Sequence, residues 1–305
     1  MQTIRATMIA DSLINGVRVS TVEMIFPRFI LAELNTHRVF SRNSASSRAR
    51  SVKRTFAEVM EAPFVPAPFT RNMKGMSGCT LDPEDQVGCE SYWLRARDAA
   101  VLSALDLMVG EEKRTDLIGD DVTKFLDVLD AYDMEADTPS VHKQHVNRIL
   151  EPYMYHTAIV SSTEWDNFFE LRIEAAAQPE MYELAVAVKE TYDASQPVER
   201  DIHLPYHEGE DSITAFDVKR SVASCATVSY KAPSELNDAA VERIYSGMFA
   251  DKHMSPFEHQ AIHPAKLDEL APLMGWELPE NVDECDLHGN FRPGVVQLRK
   301  VLELL

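Results

Sequence analysis

Two alternating stretches close to the N-terminus constrain the fold of this chain more than any other feature. Residues 3–9 and 17–26 alternate apolar and polar positions with the two-residue period of a half-buried strand. Pro27 follows directly, and the pattern after it predicts a helix over 29–34 that ends near 36–38. The N-terminal part of the chain therefore predicts two strands followed by a short helix.

The remaining elements follow in an irregular order. The sequence predicts, in turn, helices at about 90–109 and 121–131, a helix capped by Ser140, a strand at 153–162, a helix capped by Thr163 that ends at Arg172, a helix from Met181 to Tyr192 behind Pro179, and helices near 214–224, 236–249 and 295–304. This irregular order favours an α+β fold, with a mixed or antiparallel sheet packed with helices, over a doubly wound sheet. The chain has no Walker loop and no Gly-x-Gly-x-x-Gly fingerprint, which argues against a separate Rossmann domain.

Charge and composition exclude several classes of protein. A formal net charge of −19 argues against a general nucleic-acid binder, because neutralising phosphates requires a basic surface. No apolar run approaches the roughly 18 residues of a membrane span, and no basic and apolar leader opens the chain. The few scattered cysteines do not make a secreted disulfide scaffold, so the expected compartment is the cytoplasm. These cysteines are Cys79, Cys89, Cys225 and Cys285.

The densest polar segment is 36–48, which contains three Arg, one His, one Asn and four Ser. Small hydroxyl residues let backbone N–H groups approach a phosphate, and Arg binds phosphate through two charge-assisted hydrogen bonds. The segment therefore predicts a phosphate-binding turn in an otherwise acidic protein. A solvated basic turn, or an RNA-binding patch extended by Arg50, Lys53 and Arg54, is the alternative interpretation.

Metal chemistry is not favoured by the sequence. Cys285 and His288 have the spacing of half a zinc site, but no convincing second pair accompanies them. The histidines at 253, 259 and 263 do not form a helical His-x-x-x-His pair with a nearby acid. We therefore expect no metal.

The polar segment also carries a longer motif. The pattern His-Arg-x-x-Ser-x-Asn-x-x-Ser-x-Arg resembles the signature of the flavin-dependent thymidylate synthases and is formed by His37, Arg38, Ser41, Asn43, Ser46 and Arg48. A second segment is similar to the part of that family that carries a flavin-contacting Asn and a pyrimidine-activating Arg; it comprises 148–152, 163–172 and 178–180. A third similarity covers 226–230 and 253–259.

The third segment precedes the His-Arg signature in that family, whereas here it lies near the C-terminus. The chain is thus similar to the longer, permuted phage and bacterial members, and His253–His263 is expected to pack beside Val17–Arg38. The resemblance implies a single catalytic domain over 1–305 with a helical insert at about 50–138. That insert and the region 265–288 have no counterpart in the shorter members.

The resemblance implies a role for each matched residue. Arg172 would be catalytic, stabilising negative charge on the pyrimidine as C5 becomes nucleophilic. The flavin would contact His37, Arg38, Ser44, Asn167, Ser229 and Ser255. The nucleotide would contact Glu33, Ser46, Ser47, Arg48, Arg148 and Arg172.

Each role has a structural alternative. His37 and Arg38 could instead satisfy carbonyls at a helix C-terminus. Asn167 could be a surface amide, and Arg172 could form a surface ion pair with a nearby carboxylate, at Asp166, Glu170 or Glu174.

The implied activity is methylation of dUMP to dTMP with FAD as cofactor, methylenetetrahydrofolate as carbon donor and NADPH as reductant. The family further implies a homotetramer with sites between subunits, in the host cytoplasm if the protein is phage-encoded. Four departures surround the site: Thr36 replaces Arg, Ser44 an acidic residue, Ala49 an aromatic one and Ala176 a His. Those at Thr36 and Ser44 leave open a hydroxymethylated product or dCMP as substrate. A non-catalytic nucleotide- or RNA-binding relative is a separate alternative, and the retention of Arg172, Asn167 and both phosphate arginines argues against it.

Overall fold

The computed structural model describes residues 3–44, 46–73, 78–136, 140–207, 209, 213–228, 232–280 and 282–305, without the side chains of residues 284 and 285. The strands in this part are β1 (Arg5–Ile14), β2 (Val17–Pro27), β3 (Ser41–Ser44), β4 (Tyr155–Ser162), β5 (Val198–Glu199), β6 (Ile202–His203), β7 (Ala261–Ile262) and β8 (Val296–Gln297). The helices are α1 (Leu31–Leu34), α2 (Val52–Glu61), α3 (Pro83–Val109), α4 (Glu111–Ile118), α5 (Phe125–Asp130), α6 (Lys143–Ile149), α7 (Asp166–Arg172), α8 (Pro179–Ala194), α9 (Ala215–Thr227), α10 (Asp238–Ala250), α11 (Leu267–Met274) and α12 (Leu298–Leu302).

The larger sheet has the strand order β3-β4-β2-β1-β5. All its neighbouring strands are antiparallel except β1 and β5, which are parallel. Asn15 and Gly16 join β1 to β2, and both have positive φ, 48° and 76°. Positive φ at both central residues is what a two-residue turn matching the strand twist requires, so this dipeptide fixes the hairpin register.

One face of this sheet is covered by α7 and α8. The core there combines apolar residues of the central strands with aromatic residues of α7 and aliphatic residues of α8, among them Val22, Met24, Val160, Phe168 and Leu184. Trp165 is buried beneath them, and its indole Nε1 donates to Ser20 Oγ at 2.8 Å. This hydrogen bond positions the start of α7 on the sheet, because a buried indole N–H needs an acceptor.

A second core lies among helices α2 to α6. It is formed by buried side chains that include Phe56, Leu105, Val128 and Val146. The chain enters this helical layer from β3 and returns from α6 through a 3-10 turn at Glu151–Tyr153 into β4. The expected helical insert at about 50–138 falls within this layer; that it is an insert in a single domain remains a prediction.

The C-terminal part forms a small sheet, β6-β7-β8, covered by α9 to α12. A chain of hydrogen bonds joins it to the larger sheet. The imidazole of His203 forms hydrogen bonds through Nδ1 with Ser12 Oγ (2.8 Å) and through Nε2 with Thr21 Oγ1 (2.7 Å). Thr21 Oγ1 is in turn hydrogen-bonded to Ser161 Oγ (2.6 Å). Ser161 then reaches Nδ1 of His259 at 2.9 Å. All five side chains are buried, so the polar groups are paired where water is excluded.

The segment around His259 therefore packs where the permutation hypothesis requires it. His259 lies next to β4, and Ala261 is buried against Ile14 and Val19 of the larger sheet. The 3-10 turn Ser255–Glu258 contacts β3. This packing meets the structural condition of the hypothesis, while the permutation itself remains a prediction.

The α+β fold with a mixed, mainly antiparallel sheet is confirmed. Two predicted helix caps are wrong. His142, not Ser140, caps α6, because its Nδ1 accepts from Gln144 N at 3.2 Å. Thr163 does not cap α7; its Oγ1 accepts from the backbone N of Arg292 at 2.9 Å, and α7 begins only after Trp165.

Several predicted boundaries also differ, and β1 continues to Ile14, five residues beyond the predicted end of the strand. α3 begins at Pro83, well before residue 90, because a proline in the first turn followed by two acidic residues suits a helix N-terminus. The last predicted helix begins at Leu298, since Val296 and Gln297 pair with β7 instead. Among the described helices none is long and apolar enough to cross a membrane.

We predict that stability falls in mild acid because of His203 and His259. Burial lowers the pKa of each from 6.5 to about 3. The unfolded chain therefore binds more protons than the folded one below pH 6.5, so the free energy of unfolding falls as the pH drops from 6.5 toward 3. At pH 5.5 each histidine accounts for about 1.4 kcal/mol of this loss.

Urea denaturation between pH 7.5 and 5 measures this dependence. His259→Gln should remove one histidine's share of the pH dependence, whereas His253→Gln, at an exposed position, should keep the wild-type dependence. Equal pH dependence in wild type and His259→Gln would contradict the assignment.

Candidate active site

The side chain of Arg172 is held in place by residues of and just after α1. Its Nε donates to His37 Nε2 at 3.0 Å, and its Nη2 donates to Thr36 Oγ1 at 3.1 Å. Its Nη1 lies 3.6 Å from Glu33 Oε2. The partners of Arg172 are thus residues distant in sequence, and not the neighbouring carboxylates of the alternative interpretation. The guanidinium is thus anchored by long-range contacts at the end of α7.

His37 is the buried partner that makes this anchoring possible. Its ring stacks on Phe40 with centroids 5.5 Å apart and meets the edge of Phe168 at 5.0 Å. Burial lowers the pKa of His37 to about 4, with further lowering by the charges of Arg172 and Arg42. The imidazole is therefore neutral at pH 7 and accepts at Nε2, which assigns its proton to Nδ1.

The alternative role of His37, satisfying carbonyls at the end of α1, is taken by another residue. Arg42 Nη1 donates to Leu34 O at 3.3 Å. Arg38, next to His37 in sequence, is exposed, and its side chain has no hydrogen bond or ion pair within the described part of the chain. His37 is therefore a buried residue that contacts Arg172, whereas Arg38 faces the solvent.

A cleft of about 800 Å³ opens beside Arg172. Its polar side carries Glu33, Arg172, Gln178 and Glu180. Glu180 is buried and accepts from Gln178 Nε2 at 3.0 Å. The apolar side comes from the chain between α2 and the middle of α3, which contributes Pro66, Pro68, Phe69 and Trp93 together with the polar Thr70. This volume is within the range of small-molecule sites.

A second groove of about 420 Å³ lies on the other side of α1. Arg148, near the end of α6, lines it together with Asn35 and Glu151. Phe29 lines both this groove and the Arg172 cleft. The Arg148 side chain is exposed and makes no ion pair with any residue whose position is described, so it is available to an anion.

The turn at 46–50 is fastened to α6. Asn147 Nδ2 donates to the carbonyls of Ser47 (2.9 Å) and Arg50 (3.2 Å). Ser47 is buried, and its hydroxyl donates to the carboxylate of Glu151. Ser46 and Arg48 are exposed instead. The turn therefore presents Ser46 and Arg48, whereas Ser47 anchors it.

The residues expected around the flavin lie on separate elements. Ser255 Oγ donates to Asn43 Oδ1 at 3.3 Å, and Asn43 Nδ2 donates to Cys225 O at 2.6 Å, which places Ser255 beside β3. Ser44 ends β3 and is half-buried. Asn167 is exposed on α7, and Ser229 lies outside the described residues.

The structure thus brings together Glu33, His37 and Arg172, and separately fastens the turn with Ser46 and Arg48 to the helix that carries Arg148. Asn167 precedes Arg172 by five residues, so about 140° of helix rotation separates the two side chains. Neither of the two clefts described above is lined by Asn167 or Ser255. Nor do the described residues contain a cluster of three metal-ligating side chains.

Sequence reasoning missed the direct role of Thr36 and the entire apolar side of the cleft. Thr36 stands out in the sequence only as a departure from the family pattern. The apolar side depends on tertiary packing of a loop, for which no local sequence signal exists. A donor set for anionic ligands is present, since the side chains of Arg38, Arg48 and Arg148 are exposed and have no partner among the described residues. This set fits a nucleotide and the phosphates of a flavin dinucleotide.

Comparison with known proteins adds independent information. A family model described as thymidylate synthase complementing protein matches residues 17–198. None of the curated proteins matches the chain. Among solved structures, it is similar to the crystal structure of the UMP/dUMP methylase PolB from Streptomyces cacaoi bound with 5-Br UMP. The two share 13% identity with a TM-score of 0.44, over 63% of this chain and 89% of that chain.

We predict that replacing Arg172 shifts the titration of His37. Arg172→Ala removes a cationic neighbour, so the pKa of His37 should rise above about 4. It should stay below 6.5 because burial, the largest cause, remains. NMR of the imidazole resonances measures this value, with Arg95→Ala, at an exposed position of α3, as the control. An unchanged His37 titration would show that the two groups do not interact.

Proposed function

The chain belongs to the family of thymidylate synthase complementing proteins, the flavin-dependent thymidylate synthases, and on that premise we propose that it methylates dUMP to dTMP. It is an enzyme of the methyltransferase type. In the proposed reaction methylenetetrahydrofolate supplies the carbon, and NADPH supplies electrons through FAD. The observation that carries the proposal is the anchored guanidinium of Arg172 in a ligand-sized cleft.

The surroundings of Arg172 suit transition-state stabilisation. In the reaction, C5 of the pyrimidine becomes nucleophilic and negative charge develops on N3 and the ring carbonyls. His37 is neutral and accepts from Nε, so it orients the guanidinium without neutralising its charge. His37 and Thr36 take one N–H each from Nε and Nη2, so N–H groups of Nη1 and Nη2 remain for the base beside the ion pair with Glu33. A donor fixed before the reaction stabilises developing charge without a reorganisation cost.

No protein nucleophile is required, because a bound FAD would supply hydride chemistry. Cys225 does not suit covalent attack on the base, since it is fully buried and burial raises the pKa of its thiol. Asn167, Ser44 and Ser255 are proposed to hold the flavin, together with Arg38.

The nucleotide phosphate is proposed to bind the exposed cations. Arg48 and Ser46 lie on the turn that Asn147 fastens to α6, and Arg148 is the next residue of that helix. Because the net charge is −19, a dianionic nucleotide needs such a local concentration of cations. The dispersion of the flavin residues over several elements supports sites completed by neighbouring subunits of a homotetramer.

One experiment distinguishes this function from its alternatives. Purified protein should be yellow, and with labelled dUMP, methylenetetrahydrofolate and NADPH it should form dTMP. Formation of a 5-hydroxymethyl product, or turnover of dCMP instead of dUMP, would replace the proposed reaction. A colourless protein that binds nucleotide without turnover would indicate a non-catalytic relative.

Arg172→Ala should lower turnover by about 10²–10³-fold, as expected for removal of one preorganised electrostatic donor. Flavin should remain bound, because the proposed flavin contacts come from other residues. The rate of dTMP formation and the flavin absorbance of the same sample measure both quantities. Near-wild-type turnover would eliminate the catalytic role.

Arg48→Ala should weaken dUMP binding by roughly 10- to 150-fold, the effect of losing a charge-assisted hydrogen bond of about 1.5–3 kcal/mol. Titrating dUMP against the flavin spectrum measures this affinity. Arg243→Ala, an exposed arginine of α10, removes the same charge elsewhere and should leave it unchanged. Unchanged dUMP affinity in Arg48→Ala would support the alternative of a solvated basic turn. Loss of flavin from this variant would indicate that Arg48 binds FAD instead of the nucleotide.

A further inference from the structure

The apolar side of the Arg172 cleft has no assigned role. We call Pro66, Pro68, Phe69 and Trp93 the insert wall, because all four lie in the segment expected to be an insert. Phe69 and Trp93 meet edge to face, with centroids 6.4 Å apart. Both rings are partly exposed. A lining of apolar and aromatic side chains with a few polar groups is the usual composition of a small-molecule site, and the flat face of an aromatic ring suits a planar ligand.

The insert wall is fixed in position by hydrogen bonds. The side-chain amide of Gln86 pairs with the backbone of Phe69 in both directions, accepting from its N–H and donating to its carbonyl at 2.8 Å each. Leu81 N also donates to Phe69 O at 3.0 Å. Trp93 Nε1 donates to Phe64 O at 2.8 Å. The wall is therefore preorganised, which lowers the entropic cost of binding a ligand against it.

The charges of the cleft decide which part of a nucleotide can enter it. Its charged residues in the described structure are two carboxylates, Glu33 and Glu180, and one guanidinium, Arg172. A phosphate dianion is repelled by this arrangement, whereas an uncharged ring is not. Arg148, which forms no ion pair with a described residue, lines the adjacent groove, and Phe29 lines both spaces. A ligand that passes over Phe29 can therefore place a ring in the cleft and a phosphate by Arg148.

We propose that the insert wall packs against the face of the pyrimidine ring of the nucleotide substrate, while Arg172 contacts the edge of that ring. This inference rests on the proposed function, because it takes Arg172 to be the group that faces the base. Phe69 is then a substrate-positioning residue supplied by the insert. Aromatic stacking on a base contributes about 1–3 kcal/mol, which corresponds to roughly 5- to 150-fold in affinity.

The test uses full-length protein with its flavin and compares three substitutions. Phe69→Ala should raise the Kd and KM for dUMP by roughly 5- to 150-fold, while the KM for methylenetetrahydrofolate stays near the wild-type value. Phe69→Tyr keeps the aromatic face and should restore binding. Tyr92→Ala removes an aromatic residue of the same helix that is 66% exposed and outside the cleft, so it should bind dUMP normally.

A fluorescence titration provides a second measurement that needs no destabilising change at Phe69. Binding of dUMP should alter the emission of Trp93, identified as the part of the signal lost in Trp93→Phe. A wild-type titration with no Trp93-dependent change would overturn the proposal. So would unchanged dUMP affinity in Phe69→Ala, or a defect confined to methylenetetrahydrofolate, which would assign the wall to the pterin ring.

The outcomes separate this inference from the function on which it rests. Wild-type protein that forms dTMP but shows no dependence on Phe69 rejects the insert wall alone. Protein that binds dUMP through Phe69 and forms no dTMP rejects the proposed reaction and retains the wall. Protein that binds no dUMP at all rejects both.

Discussion

The pairing of β2 with β4 is the constraint on which the site depends. Antiparallel register places Pro27 opposite Tyr155, so the chain leaving β2 toward α1 meets the chain arriving from α6. Arg28 N donates to Met154 O at 2.9 Å at this junction. α7 follows the other end of β4, and its last residue, Arg172, comes back to α1. A single strand pairing thereby puts α1 between Arg148 and Arg172, two cations separated in sequence by the whole of β4.

A neutral histidine is the second requirement for this arrangement. Arg172 needs an acceptor for Nε that does not cancel its charge, and a carboxylate in that place would do so. Burial among Phe40 and Phe168 keeps the His37 imidazole neutral, and the neighbouring arginines act in the same direction. The aromatic core of the sheet therefore determines the electrostatics of the cleft, although none of its rings is exposed to a ligand.

Sequence alone predicted those parts of the fold that depend on local patterns. The strands β1, β2 and β4 were predictable because their periodicity is short-range, and family membership was predictable from six fixed positions of one motif. The helix caps at Ser140 and Thr163 were wrong for different reasons. His142, only two residues after Ser140, caps α6 instead, whereas the Thr163 hydroxyl is occupied by the backbone N–H of the distant Arg292. The insert wall was not predicted, because the sequence at 64–88 has the composition of a loop. Phe69 and Trp93 are positioned by hydrogen bonds between residues distant in sequence, with Gln86, Leu81 and Phe64 as partners.

The hydrogen-bond chain between the two sheets has a further property. It contains five side chains, from Ser12 through His203 to His259, and each of their hydroxyls and ring nitrogens can donate or accept. Each hydroxyl and each neutral imidazole has only one proton to donate. All four hydrogen bonds can therefore form, with the protons of Thr21 and Ser161 both used, only if every group donates toward His259 or every group donates toward Ser12. The terminal Nε2 of His259 is buried and has no hydrogen-bond partner among the described atoms. If the groups donate toward His259, its Nε2 carries a buried N–H without an acceptor. If they donate toward Ser12, the same nitrogen carries only a lone pair. The second arrangement costs less, because buried donors without a partner are rarer in proteins than buried acceptors without one. The tautomers of both histidines are therefore coupled, and the buried Nε2 of His259, which has no partner among the described atoms, selects the donor direction of all four hydrogen bonds.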